Sequence, residues 1–211
     1  MKNFYKAVIF DLDGTLIDSK KDIALSVNRT LEALGLSQKR IEEIYSLIGE
    51  GVYRLIVQAL EGYDKKVDSG IAIFRADYQQ HLLDYTACYP GIYEVLDQLN
   101  DKFLAIITNK PKEFTIPILE KLELIHCFDL IISGDDGWPQ KPAPDSIHEV
   151  MKRSTASESE TIHIGDHFTD ILAGKNAGIK TCWASYGFGQ KRDLIPDMTI
   201  HTPLDLLALI K

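Results

Sequence analysis

Apolar and polar positions divide the chain into three stretches of different rhythm. The first is a short apolar run, Val8-Ile9-Phe10, that stops at Asp11-Leu12-Asp13-Gly14-Thr15-Leu16. A continuous apolar run ahead of a turn signal suits a strand covered on both faces, as in a parallel sheet. From residue 17 to 85 the apolar positions recur at helical spacing, and no strand is expected among them. Ile23, Val27, Leu31 and Leu34 mark a first helix, with Ser19-Lys20-Lys21-Asp22 resembling a capping box and Gly35 where a C-terminal cap belongs. A second is predicted from near Ser37 with Ile41, Ile44, Tyr45 and Ile48, and Gly49-Glu50-Gly51 breaks it. Val52, Leu55, Ile56, Ala59 and Leu60 give a third, and Ile71, Phe74, Tyr78, Leu82 and Tyr85 a fourth.

From Pro90 strands and helices alternate. A helical stripe (Ile92, Val95, Leu96, Leu99) precedes a buried strand, Phe103 to Ile107, which ends in Thr108-Asn109-Lys110-Pro111. A helix over about Lys112 to Leu122 leads to the strand Leu130 to Ser133 and the loop Gly134 to Pro144. Ile147 to Met151 is helical, and Thr161 to Ile164 is a strand closed by Gly165-Asp166. A helix over about Thr169 to Asn176, a strand Lys180 to Ala184, a strand Met198 to Ile200 and a helix from Leu204 complete the pattern. The rhythm predicts an α/β fold: a Rossmann-like doubly wound parallel sheet over 1–16 and 86–211, interrupted by an all-helical unit over 17–85.

Composition narrows the classes of function. With 211 residues, 45% hydrophobic and 26% charged, the chain can bury a sizeable core. A net charge of −8 without a basic run argues against nucleic acid or an anionic membrane as partner. No stretch approaches the roughly 20 apolar residues of a membrane span, and the first apolar run is too short for a signal peptide. Cys88, Cys127 and Cys182 are odd in number and lack C-x-x-C spacing, as expected of core residues in a reducing cytoplasm. The expected protein is cytoplasmic, a monomer or homodimer.

Candidate chemistry gathers just after four predicted strands: Asp11 and Asp13, Thr108 and Asn109, Lys141, and Asp166 with Asp170. In an open parallel sheet all strand carboxyl ends lie on one edge, where ligands bind, so residues distant in sequence can converge there. Each has a plainer reading. Asp-x-Asp-Gly is also a turn or a fragment of a calcium loop, Thr108 a turn residue, Lys141 a solvated loop lysine and Asp166 a helix cap. Asp11 and Asp13, two apart, would share a face of an extended segment. Two carboxylates so close call for a cation or a shared proton, and Mg²⁺ is the natural hard ion. Four such groups at four strand ends favour a site.

With these motifs the chain resembles the haloacid dehalogenase superfamily, in particular its phosphatase branch. Asp11-Leu12-Asp13-Gly14-Thr15 is similar to the first motif, Thr108-Asn109 to the second, Lys141-Pro142-Ala143-Pro144-Asp145 to the third and Gly165-Asp166-His167-Phe168-Thr169-Asp170 to the fourth. The helical unit resembles the cap inserted after the first motif. Asp11 to Ser19, Ile107 to Pro111, Gly134-Asp135-Asp136 and Tyr186-Gly187 are most similar to phosphoglycolate phosphatases. The resemblance implies a Mg²⁺-dependent hydrolase of phosphoric monoesters, with a small-molecule phosphate ester, 2-phosphoglycolate first, as substrate. Asp11 would be the nucleophile that becomes an aspartyl-phosphate, and Asp13 the acid and then the base. Asp11 and Asp166 would ligate the metal by side chain, Asp13 by its backbone carbonyl, and Asp170 from outside or through water. Thr108, Asn109 and Lys141 would hold the phosphoryl group.

His167 departs from the motif, where a small hydroxyl residue is common, and either packs at a helix start or touches substrate. His163 is expected as a core or sheet-face histidine. Glu50, Tyr53 and Arg54 follow the Gly49-x-Gly51 break, where a loop either dips into the site, with Arg54 binding substrate, or is an ordinary helix–helix turn. A hexose phosphate mutase, or a phosphatase acting on sugar phosphates, nucleotides or pyrophosphate, is compatible with the same motifs. A dehalogenase would need neither metal nor Asp13. A phospho-Asp signalling module would carry its acidic pair and its phosphorylated Asp on different strands and have no cap.

Overall fold

A computed structural model describes residues 5–210. Its main sheet has six strands in the order β5-β4-β1-β6-β7-β8: Leu130–Ile132, Phe103–Ile107, Ala7–Phe10, Thr161–Gly165, Lys180–Ala184 and Met198–Ile200. Every pairing is parallel, and β1 lies between β4 and β6, with Ile9 opposite Ala105 on one side and His163 on the other. The order reverses at β1, which puts a crevice at its carboxyl end.

Alternation of side chains along β1 sends Val8 and Phe10 into one apolar layer and Ala7 and Ile9 into another. The second layer is closed by Ile147 and Val150 of α7 (Asp145–Ser154) and Ala173 of α8 (Phe168–Asn176). All four β1 residues are fully buried, which is why the strand reads as an unbroken apolar run. Helices α5 (Ile92–Gln98), α6 (Lys112–Lys121) and α9 (Leu206–Ile210) complete the core.

Between β1 and β4 the chain builds a helical cap from α1 (Lys20–Ala33), α2 (Ile41–Tyr45), α3 (Gly51–Ala59) and α4 (Val67–Tyr78). Helix α1 packs on α2 and α4, and α3 packs on α4. Four details differ from the sequence reading. A ribbon of two short strands, β2 (Ile17–Asp18) and β3 (Ala87–Cys88), pairs antiparallel at the cap's entry and exit, although residues 17–85 are expected to hold no strand. Two residues are too few to carry a period. Helix α2 begins at Ile41, with Ile48 buried in the turn that follows. Helix α4 ends at Tyr78, not near Tyr85, because the carboxylate of Asp22 accepts from the backbone of Tyr85 and Thr86 (2.8–3.1 Å) and from the Thr86 hydroxyl (2.7 Å), drawing the chain out of the helix. That use of Asp22, with the Ser19 hydroxyl donating to Asp13, also means that Ser19 and Asp22 form no capping box. Among the described residues no helix is long and apolar enough to cross a membrane.

Candidate active site

Asp11 continues β1, its N–H donating to the carbonyl of Ile164 in β6 (2.9 Å). The chain then turns at Gly14, where φ is +85° and a Cβ would lie 1.9 Å from Asp166 Oδ2, so only glycine lets this loop pass so close to the carboxylate. Lys141, from the loop after β5, is buried and donates to Asp11 Oδ1 (2.7 Å), Asp170 Oδ1 (2.6 Å) and the carbonyl of Ile107 (2.7 Å). Burial works to neutralise it, but the two carboxylates raise its pKa above the usual lysine value.

Asp166 closes β6, and its Oδ2 accepts from the backbone of Phe188 (3.0 Å) and Gly189 (2.6 Å) in the loop after β7. Asp170, in the first turn of α8, also accepts from the His167 backbone through Oδ2 (2.9 Å). Ligand atoms of Asp11, Asp166 and Asp170, all buried, lie within 4.8 Å of one another. Burial, working against Lys141 and reinforced by Asp170, pushes the Asp11 carboxyl up to about 7. Burial and the charges of Asp11 and Asp170 raise Asp166 well above the ordinary range. Asp170 is held low: burial would raise it, but Lys141 beside it prevails. Three buried carboxylates against one lysine leave the cluster short of positive charge, and an all-oxygen donor set suits a hard divalent ion. Such an ion fits.

Thr108 and Asn109 end β4. The Thr108 hydroxyl accepts from the Lys110 backbone (3.1 Å). The Asn109 amide donates to the carbonyls of Gly49 and Lys141 (3.1 Å each) and accepts from the Lys141 backbone (2.9 Å), joining cap to core. Asp11, Asp13, Thr108 and Asn109 line one cavity, covered by Ile48, Val52, Leu55, Phe74 and Tyr78 of the cap.

Arg54 is not brought to this cavity. It is exposed on α3, as is Tyr53 at 62% accessibility, while Glu50 reaches Arg192 (3.5 Å). The segment does dip towards the site, but it presents Gly49, Gly51, Val52 and Leu55. His167 caps α8, its Nδ1 paired with the Thr169 hydroxyl (2.9 Å) and its ring beneath Gly49, so the packing role holds. Burial lowers its pKa to about 4, and it is neutral. His163 is likewise buried on β6, pushed down to about 4 by desolvation.

Two partners of Asp13 escape a motif reading. Lys110, also buried, donates to both its oxygens (3.0 and 3.2 Å), and Ser19 donates to Oδ1. Asp11 and Asp13 therefore answer to different lysines. Lys110 lies in the Ile107-to-Pro111 segment that carries the resemblance, and like Lys141 it precedes a proline, but neither feature assigns it a partner.

Residues 8–184 match the family described as haloacid dehalogenase-like hydrolase. A phosphoglycolate phosphatase from Aquifex aeolicus is 38% identical over 207 residues, which cover 97% of this chain and 96% of that protein. A phosphoglycolate phosphatase from Colwellia psychrerythraea is 39% identical over 219 residues, covering 98% and 97%. Among solved structures, a haloacid dehalogenase-like hydrolase from Streptococcus pneumoniae aligns with a TM-score of 0.87 and 28% identity over 98% of this chain and 99% of that one.

Proposed function

The chain belongs to the haloacid dehalogenase-like hydrolase family, and on that premise we propose that it is a Mg²⁺-dependent phosphomonoesterase for a small metabolite, 2-phosphoglycolate first, working through a phosphoaspartate on Asp11. The observation that carries this reading is the meeting of Asp11, Lys141, Asp166 and Asp170 at one sheet edge, where Asp11 opens onto the cavity that Asp13, Thr108 and Asn109 also line. The names of the Aquifex and Colwellia relatives support the substrate. In this reading residues 17–85 are the cap and 1–16 with 86–211 the catalytic core.

Asp11 attacks phosphorus in line, and the ester P–O bond breaks as Asp13 gives its proton to the departing alcohol oxygen. Asp13, now a carboxylate, takes a proton from water, which attacks the phosphoaspartate and releases phosphate and Asp11. The Thr108 hydroxyl and the Asn109 backbone N–H hold phosphoryl oxygens, while the Lys141 ammonium offsets charge that grows on them. Mg²⁺ held by Asp11, Asp166 and the Asp13 backbone carbonyl, with Asp170 supporting from outside or through water, would supply the remaining charge neutralisation. Exclusion of water by Ile48, Val52, Leu55 and Phe74 strengthens each of these interactions. The free thiols of Cys88, Cys127 and Cys182 fit work in a reducing cytoplasm.

The test is phosphate release from a panel of esters, with and without Mg²⁺, with Asp11→Asn as control. We expect metal-dependent turnover, none in the variant, and a lead of more than tenfold in kcat/KM for 2-phosphoglycolate, which corresponds to about 1.4 kcal/mol of transition-state discrimination. Activity led by a sugar phosphate, a nucleotide or pyrophosphate would keep the chemistry and remove the substrate.

A further inference from the structure

Beyond the motif residues, Asp13 is held by groups from two parts of the molecule. Lys110 Nζ donates to both of its carboxylate oxygens (3.0 and 3.2 Å) and also to the hydroxyl of Tyr78 (2.8 Å). Lys110 belongs to the core, in the loop after β4; Tyr78 is the last residue of α4 in the cap. The Tyr78 ring is fully buried, lies 4.7 Å from the lysine nitrogen and packs edge-on against Phe114 of α6 (4.9 Å). The ammonium is thus fixed from both sides, with a carboxylate on one and a hydroxyl and ring face on the other.

We propose that Lys110 and Tyr78 are positioning residues for the general acid: Tyr78 docks the cap onto Lys110, and Lys110 aims the Asp13 carboxyl at the departing oxygen, so that Asp13 is ready to deliver its proton only when the cap is seated. The inference rests on the phosphatase reading above. A general acid must sit within hydrogen-bond reach of the atom it protonates, and a carboxyl free to rotate spends little time there. Ser19 fixes one oxygen of Asp13 from the entry end of the cap, at the start of α1 and six residues along the chain, whereas Tyr78 reaches it through Lys110 from the far end of α4. The Tyr78–Lys110 bond is the link that a swing of the cap would break.

An ester that needs the proton can be told from one that does not. An alkyl phosphate such as 2-phosphoglycolate releases an alkoxide unless it is protonated, whereas acetyl phosphate releases acetate as it stands. The ratio kcat/KM covers only the steps up to departure of that group, so later hydrolysis of the phosphoaspartate does not enter. We would measure it for both substrates with wild type, Lys110→Met, Lys110→Arg, Tyr78→Phe and Asp13→Asn, and check the fold of each by thermal unfolding. The loss in Lys110→Met should be at least tenfold larger on the alkyl ester than on acetyl phosphate, matching the pattern of Asp13→Asn. Tyr78→Phe, which removes a single oxygen atom, should show the same bias at three- to tenfold, and Lys110→Arg should recover part of the loss. Equal losses on both substrates in Lys110→Met and Tyr78→Phe, or no loss on either, would overturn the proposal. A wild type that turns over neither substrate would instead remove the phosphatase reading itself.

Discussion

Lys141 sits where three buried acceptors meet: Asp11, Asp170 and the carbonyl of Ile107. Removing one partner of such a pair leaves charge uncompensated in a medium that cannot solvate it, at a cost of about 3–5 kcal/mol. Lys141→Met should therefore lower the unfolding free energy by about that amount in chelator at neutral pH, and by less with Mg²⁺ present. Urea titration in the two conditions reads the difference, and an unchanged midpoint would mean that the lysine contributes only to catalysis. Lys141 was legible in the sequence because its motif fixes both its strand end and its proline. Lys110 has the same setting, yet nothing in the spacing tells which carboxylate a lysine will meet. Arg54 shows the converse: a charge beside a glycine break looked like a ligand, but the pitch of α3 leaves it exposed and turns Val52 and Leu55 towards the cavity.

Among elements, the turn from α2 to α3 meets the core directly, at Asn109 and His167. Gly49 has φ of +126°, and a Cβ there would lie 2.8–2.9 Å from ring atoms of His167, itself buried and fixed as the cap of α8. A side chain at 49 meets both backbone strain and a ring with no room to retreat, roughly 1–3 kcal/mol for the backbone alone. Gly49→Ala should lower kcat/KM at least tenfold, because the turn can no longer seat above Thr108 and Asn109, and should lower the melting temperature by several degrees. Adding His167→Ser removes the ring and should recover part of both losses, and a double-mutant cycle measures the coupling. Strict additivity would show that the turn and the helix cap act independently. The elements themselves were largely legible, since β1, β4 and β6 are buried runs and α1 and α3 carry clear stripes. What escaped were features set by tertiary contacts: α4 stops at Tyr78, short of the segment whose backbone Asp22 captures at Tyr85 and Thr86, and the β2–β3 ribbon is too short to leave a pattern.

For the molecule as a whole, a net charge of −8 and a buried acidic cluster make stability, metal and pH one question. In the metal-free fold Asp11 keeps its proton up to about 7, against an ordinary value of 3.8. A group whose pKa is raised by folding contributes stability that is complete below the unfolded value and is lost as pH rises through the folded one. The metal-free protein should therefore lose about 1 kcal/mol between pH 6.5 and 8 through Asp11 alone, and Asp166, raised by burial, acts in the same direction. His163 and His167 run the other way, since burial lowers both to about 4 from 6.5. At pH 6.5, their ordinary value, each still lacks about 0.4 kcal/mol of its contribution and regains it by pH 8, so the pair offsets most of the Asp11 loss in the metal-free protein; it acts alike with and without the ion and drops out of the difference between them. A divalent ion binds the ionised carboxylates and must displace the Asp11 proton at the lower pH. The rise in melting temperature from chelator to Mg²⁺ should thus be larger at pH 8 than at pH 6.5, by about 2–4 °C for each kcal/mol, and Asp166→Asn should abolish most of the rise at both. An increment independent of pH would place the ion away from Asp11, whereas a larger one at pH 8 ties the buried cluster of Asp11, Asp166 and Asp170 to the ion.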